Sequence, residues 1–252
     1  MKVTVLGSSS GVAVPHRHGS AYWVESQDNL YLLDCGEGAA GQLVRYEKDY
    51  NRILGIVISH THPDHVSGLF TLLQLMHLTG RKSPLAIYLP RGLVPGFASV
   101  FPCVQIYREK WPFPFELKPI VRGTFLDKNG FQLEAIPNHH LDGNPKWDEK
   151  HSLEAESFSF YFLEKGNGAV MYTSDVDSLA HLDPAHVKAD VLLSEYTHIG
   201  LEEILAFANS AKIPQVILTH IPPERESALS QIPHQHGFIT VDIAHDGYLI
   251  EV

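Results

Sequence analysis

The hexapeptide His60-Thr61-His62-Pro63-Asp64-His65 constrains this chain more than any other stretch. The β-formers Ile56-Val57-Ile58-Ser59 precede it, and a helical pattern from Val66 to Thr79 follows. Three imidazoles and a carboxylate are thus confined to one turn at the end of a buried strand. Such groups are costly to bury unless they are paired or coordinated. A solvated loop would not need an apolar strand before it and an apolar helix after it. The turn therefore reads as metal-binding.

Other polar residues repeat the arrangement. Asp34, His60, His140, Asp175, Glu195 and His220 each stand where an apolar strand stops. The strands are Leu30–Leu33, Ile56–Ser59, Phe131–Pro137, Ala169–Tyr172, Asp190–Ser194 and Gln215–Thr219. In α/β proteins, sites form outside the carboxyl ends of strands. Helical spacing places Leu69, Leu72, Leu73 and Met76 on one face, and a second helix over 201–211 turns Leu201, Ile204, Leu205 and Ala208 inward. The polar segment Leu141–Glu156, with turn chemistry at Asp142-Gly143-Asn144-Pro145, reads as a long loop over the site. Prolines and aromatics between Arg91 and Pro119 give a weaker signal: a short helix, strand pieces and loops, with the aromatics mainly packed. No internal repeat or linker is visible, so 1–252 is read as one domain.

Seven residues have ligand chemistry: His60, His62, Asp64, His65, His140, Asp175 and His220. One metal needs three or four protein ligands, so seven suit two metals sharing a carboxylate. Imidazole and carboxylate without strand-end thiolates, apart from Cys35, favour two Zn²⁺, with Mn²⁺ or Fe also compatible. His139 competes with His140 for the same place.

Composition narrows the setting. The net charge of -10 gives no general basic surface for nucleic acid or anionic lipid. Only two cysteines occur, too few for a disulfide framework. No stretch is long and apolar enough to span a membrane, and the chain starts directly as a strand. A soluble, cytoplasmic protein is expected.

The His-x-His-x-Asp-His motif at His60–His65 resembles that of the metallo-β-lactamase superfamily. The opening Leu6-Gly7-Ser8-Ser9-Ser10-Gly11 with Arg17, and Leu33-Asp34-Cys35-Gly36-Glu37-Gly38 with Gln42-Leu43, are similar to the ribonuclease Z branch and its phosphodiesterase relatives. Glu195-Tyr196-Thr197-His198 resembles that branch's glutamate and histidine pair. The resemblance implies an α/β fold: an αβ/βα four-layer sandwich of two mixed sheets with helices outside. It implies His60, His62 and His140 on one metal, Asp64, His65 and His220 on the other, and Asp175 between them. His140 is preferred to His139 because family strands reach the ligand three residues past the corresponding proline. Asp175 stands where class B β-lactamases usually carry cysteine, which argues against that activity.

The expected enzyme is a metal-dependent hydrolase, a phosphodiesterase using a metal-bridged hydroxide on cyclic phosphates, nucleotides or short RNA. Asp34 would orient a ligand histidine, and His198, oriented by Glu195, would protonate the leaving oxygen. Asp64 is counted with that pair in catalysis as well as among the ligands. Ser9 and Arg17 are candidates to hold a substrate phosphate. Gly80–Leu117 lacks the Gly/Pro-rich basic arm that grips tRNA, so a small arm-less relative fits better than a tRNA 3'-processing endonuclease. A lactonase or thioester hydrolase of the same fold is the other alternative. Branch relatives are often dimers, and aromatics near Trp111 would allow a homodimer.

Overall fold

A computed structural model describes residues 1–143 and 145–252; Asn144, part of the expected turn, lies outside the described residues. The first part of the chain forms β1 (Lys2–Gly7), β2 (Ala21–Ser26), β3 (Asn29–Leu33), β4 (Gly55–Val57), β5 (Leu85–Leu89) and β6 (Phe115–Pro119). The second forms β7 (Gly123–Lys128), β8 (Phe131–Asn138), β9 (Ser157–Glu164), β10 (Ala169–Tyr172), β11 (Val191–Glu195), β12 (Gln215–Thr219), β13 (Gln235–His236) and β14 (Ile239–Ile243). The last strand, β15 (Leu249–Glu251), returns to pair with β1. Among the described residues this makes a seven-stranded sheet, β15-β1-β2-β3-β4-β5-β6, and an eight-stranded sheet, β13-β14-β12-β11-β10-β9-β8-β7. Both sheets are mixed: β3 to β6 run parallel, as do β10, β11, β12 and β14, and the hairpin pairs are antiparallel.

Side-chain alternation along the strands builds the layers. Val3, Val5, Tyr31 and Leu33 face the second sheet and meet Phe131, Leu133, Phe160, Phe162 and Leu193 there. Leu6, Leu30, Leu32 and Ile56 face outward, against α1 (Ala39–Arg45) and α3 (Leu69–Leu78). Met171, Leu192, Val216 and Leu218 point out of the second sheet, toward α6 (Leu201–Ala211). Three apolar seams therefore separate four layers, the expected αβ/βα sandwich. Strands buried on both faces must be apolar throughout, which is why their polar ends stand out in the sequence.

Some elements differ from expectation. The helix after the histidine turn is two pieces, α2 (Pro63–Val66) and α3, broken at Gly68. A Cβ at Gly68 would lie 2.0 Å from the Gly36 carbonyl oxygen, so this close backbone approach requires glycine. Residues 94–103 form α4, and the segment read as a loop, 141–156, contains α5 (Pro145–His151). α5 buries no residue, so it carries no apolar stripe to announce it. In α6 the buried face is Ile204, Phe207 and Ala208, while Leu201 and Leu205 are half-buried. A further short helix, α7 (Glu226–Leu229), follows β12. Phe101, Phe113 and Phe115 are buried, and Trp111 lies against the latter two.

Candidate metal centre

The site lies where β3, β4, β8, β10, β11 and β12 end. Three residues there have left-handed backbone: Asp34 (φ 57), Ser174 (φ 52) and His220 (φ 53). Non-glycine residues take this conformation at a cost of about 1–3 kcal/mol each, and such strain gathers at functional sites. Each turns the chain sharply as it leaves a strand. The turn His60–His65 is pressed against the segment after β3: a Cβ at Gly36 would sit 2.0 Å from the Asp64 carbonyl oxygen.

Two groups of ligand atoms result. His60, His62, His140 and Asp175 offer one set, and Asp64, His65, His220 and Asp175 another, each within 4.8 Å. Asp175 belongs to both. Its Oδ1 lies 3.1 Å from His65 Nε2 and 3.4 Å from His220 Nε2. Its Oδ2 lies 3.8 Å from His60 Nε2 and 3.7 Å from His140 Nε2. In the first group, His62 Nδ1 is 3.1 Å from His60 Nε2 and 3.2 Å from His140 Nε2. In the second, His220 Nε2 is 3.1 Å from Asp64 Oδ2 and 3.4 Å from His65 Nε2. His139 points elsewhere: it is exposed and pairs with Asp142 at 2.8 Å.

Surrounding groups fix which ring nitrogens face inward. Asp34 is fully buried and accepts from His65 Nδ1 at 2.9 Å, turning Nε2 inward. Its oxygens also take the Ser59 N–H, the Ser59 hydroxyl and the Tyr172 hydroxyl. Because Ser59 Oγ donates to Asp34, it can accept from His60 Nδ1, 3.1 Å away. Thr197 Oγ1 donates to the His220 carbonyl and accepts from His220 Nδ1 at 2.9 Å. Carbonyl, carboxylate or hydroxyl acceptors behind ligand histidines are the usual support of a metal site.

This chemistry fits a cation. Asp175 Oδ1 is buried without a hydrogen-bond partner, facing bare imidazole nitrogens. Burial opposes its charge, yet His220 and His65 hold its carboxyl well below the usual carboxylate range. Burial pushes His60 well below the ordinary imidazole range, and the neighbouring histidines add to this. Burial also opposes charge on His65, but the Asp175 and Asp34 carboxylates outweigh it and raise that group. Buried anion and bare nitrogens converging on one space need positive charge among them.

At the mouth, His198 lies with its ring 4.8 Å from that of His140 and 6.0 Å from that of His220. Glu195 is fully buried; its Oε1 is 3.2 Å from His198 Nδ1, and its Oε2 takes the backbone N–H groups of Thr197 and His198. The Glu195 hydrogen bond raises the His198 pKa against the effect of burial. Glu195, His198 and His220 also converge within 4.8 Å, but they share His220 with the second group.

Two expected substrate contacts are turned away from these groups. Arg17 is buried, its Nε bonded to Glu226 at 2.6 Å and its Nη1 to Ser8 Oγ and the Ala244 carbonyl. Ser9 Oγ donates to the Val12 carbonyl. Ser9 closes its own loop, Arg17 ties that loop to Glu226 and Ala244, and neither belongs to the ligand groups. Sequence reasoning missed Ser59, Tyr172 and Thr197, whose hydroxyls carry no distinctive spacing.

A family profile described as the beta-lactamase superfamily domain matches residues 29–221. The chain belongs to the metallo-β-lactamase superfamily, in its ribonuclease Z-like branch. It is similar to Ribonuclease Z of Myxococcus xanthus, 29% identical, covering 100% of this chain and 98% of that one. Ribonuclease Z of Methanosarcina acetivorans is 26% identical, covering 88% and 87% of the two chains. The M. xanthus alignment spans 306 positions against the 252 residues here, so the relative carries internal segments that this chain lacks. The fold is also that of human tRNase Z, short form (TM-score 0.77, 22% identity, 100% and 99% coverage). A diphosphatase of the PhnP family shares it too (TM-score 0.71, 19% identity, 100% and 97% coverage). This superfamily member is a metal-dependent hydrolase.

Proposed function

We propose that this hydrolase is a phosphodiesterase for small substrates, namely cyclic phosphates, nucleotides or short RNA, with two Zn²⁺ as its working metals. The Glu195–His198 pair carries the reading. It stands at the mouth of two ligand groups that share Asp175, with a histidine raised toward its protonated form by a buried carboxylate. An alkoxide leaving from phosphorus is poor and needs a proton, and an oriented imidazolium supplies one.

His60, His62 and His140 would hold one cation, Asp64, His65 and His220 the other, and Asp175 would serve both. Bound there, the two cations would activate a water and neutralise charge on the phosphoryl oxygens. Asp34, Ser59 and Thr197 keep the ligand nitrogens unprotonated on the inner side. Asp64 faces His220 and lies against Gly11, so it also limits where the scissile group can lie. Glu195 keeps the His198 ring aimed through Nδ1, leaving Nε2 to deliver the proton. Small substrates are favoured because the chain carries a net charge of -10 and is shorter than its ribonuclease Z relatives.

The test is a substrate panel on metal-loaded protein: bis-p-nitrophenyl phosphate, 2',3'-cyclic nucleotides, dinucleotides, precursor tRNA, a lactone and a thioester. The reading expects cyclic nucleotides or dinucleotides to be hydrolysed with the highest kcat/KM. Preference for the lactone or thioester would overturn the chemistry, and preference for precursor tRNA would overturn the substrate size.

A further inference from the structure

The loop Ser8–His18 leaves β1 and runs past the second ligand group. Ile221 N donates to the Ser8 carbonyl at 2.9 Å, and Ser10 N donates to the Ile221 carbonyl at 3.3 Å. The loop is thereby bridged to the residue after His220. Gly11 lies against Asp64, and a Cβ built there would be 3.4 Å from the Asp64 carboxylate. Asp64 and His220 are thus both bordered by this loop.

One carboxylate from the far end of the chain holds the loop. The side chain of Asp246, in the turn before β15, is 7% exposed. Its Oδ1 accepts from Ser8 N at 3.1 Å and Ser8 Oγ at 2.8 Å. Its Oδ2 accepts from His18 N at 3.0 Å and Gln42 Nε2 at 3.1 Å, and faces His18 Nδ1 at 2.7 Å. Both ends of the loop, and α1 through Gln42, converge on one side chain. A buried carboxylate that has lost such donors is costly, so the loop conformation and the Asp246 rotamer fix each other.

We propose that Asp246 is a positioning residue for the second metal: acting through the Ser8–His18 loop, it fixes where Asp64 and His220 stand. This rests on the two-metal reading above. The first ligand group, His60, His62 and His140, does not touch the loop through any of these bonds and should be indifferent to it. Replacing Asp246 by Asn puts an amide NH₂ where an oxygen was. Whichever way that amide turns, it opposes N–H donors, from Ser8 on one side or from His18 and Gln42 on the other.

The experiment titrates metal-free wild type and Asp246→Asn with Zn²⁺ against a chromophoric chelator, with circular dichroism to follow folding. Wild type should take two equivalents in two steps. In Asp246→Asn the first step should stay within about twofold while the second weakens about tenfold or more, the scale of lost outer support at a metal. Gln42→Met, which removes one donor and keeps the carboxylate, should weaken the same step by less, and it decides the matter if Asp246→Asn does not fold. Equal weakening of both steps, or an unchanged second step, overturns the inference while leaving the two-metal reading intact. A wild type that takes a single equivalent overturns both.

Discussion

Asp34 Oδ2 accepts the His65 Nδ1 proton at 2.9 Å while three other donors hold the same carboxylate in place. The bond keeps a proton on the outer nitrogen and turns Nε2 toward Asp175. Asp34→Asn can set an NH₂ against that N–H and leave the ring free to turn. Metal affinity should fall about 10- to 100-fold, read by chelator competition. Unchanged affinity would mean that the ring is held by packing alone.

Asp175 is the one side chain common to both ligand groups. Asp175→Ala removes an acceptor from each and leaves bare imidazoles facing one another. Bound metal and hydrolysis of bis-p-nitrophenyl phosphate should disappear together. Full activity in this variant would contradict the shared-carboxylate arrangement.

What the sequence disclosed follows from burial. The strands that end at the site are mostly apolar, so Asp34, His60, His140, Asp175, Glu195 and His220 stand out as polar residues at or just past strand ends. The apolar run Leu30–Leu33 marks a strand but not which residues face the second sheet, since both faces are apolar. That partition is seen only in the packed structure, where Tyr31 and Leu33 meet the second sheet and Leu30 and Leu32 meet the helices. α5 stayed hidden because it packs nothing. Ser59, Tyr172 and Thr197 act through single hydroxyl groups, which sequence spacing does not mark. Arg17 looked like an anion contact because the sequence could not show Glu226 lying 2.6 Å away.

His198 should separate proton delivery from metal binding. His198→Ala leaves the seven side chains of the two main ligand groups in place, so metal content should match wild type. The rate should fall about 10²- to 10⁴-fold, as for loss of a general acid. The loss should be greatest for alkyl leaving groups and least for p-nitrophenolate, which needs little protonation. Metal analysis beside rates for both leaving groups decides it: a variant short of metal would place His198 among the ligands instead.

Arg81 offers a test of the scaffold far from the chemistry. It is buried, and its guanidinium donates to the backbone carbonyls of Tyr50, Asn51, Ile53, Ser83 and Pro84. It thereby ties the chain before β4 to the chain before β5. Burial pushes its pKa down to about 10, with Asp49 opposing, so it stays charged at neutral pH. Arg81→Met keeps the stem but strands several carbonyls. A loss of about 2–4 kcal/mol in urea unfolding is expected, the scale of a broken buried network. A loss under about 0.5 kcal/mol would mean that water replaces the guanidinium.

Glu226 links acid stability to the Ser8–His18 loop. Burial opposes its charge, but hydrogen bonds from Arg17 and His16 outweigh that and hold its folded-state pKa below the ordinary glutamate value. A depressed folded pKa means that the unfolded chain binds the proton more readily. The contribution is therefore complete above the unfolded pKa of about 4.3 and is lost as pH falls through the lower folded value. The carboxylate is 29% exposed, so solvent screening limits the contribution to about 1 kcal/mol or less. Glu226→Gln should be less stable than wild type at pH 7, and the gap should be narrower at pH 3. Urea unfolding at both pH values measures this. A gap that is the same at both would trace the effect to lost packing around Arg17 and not to the Glu226 charge.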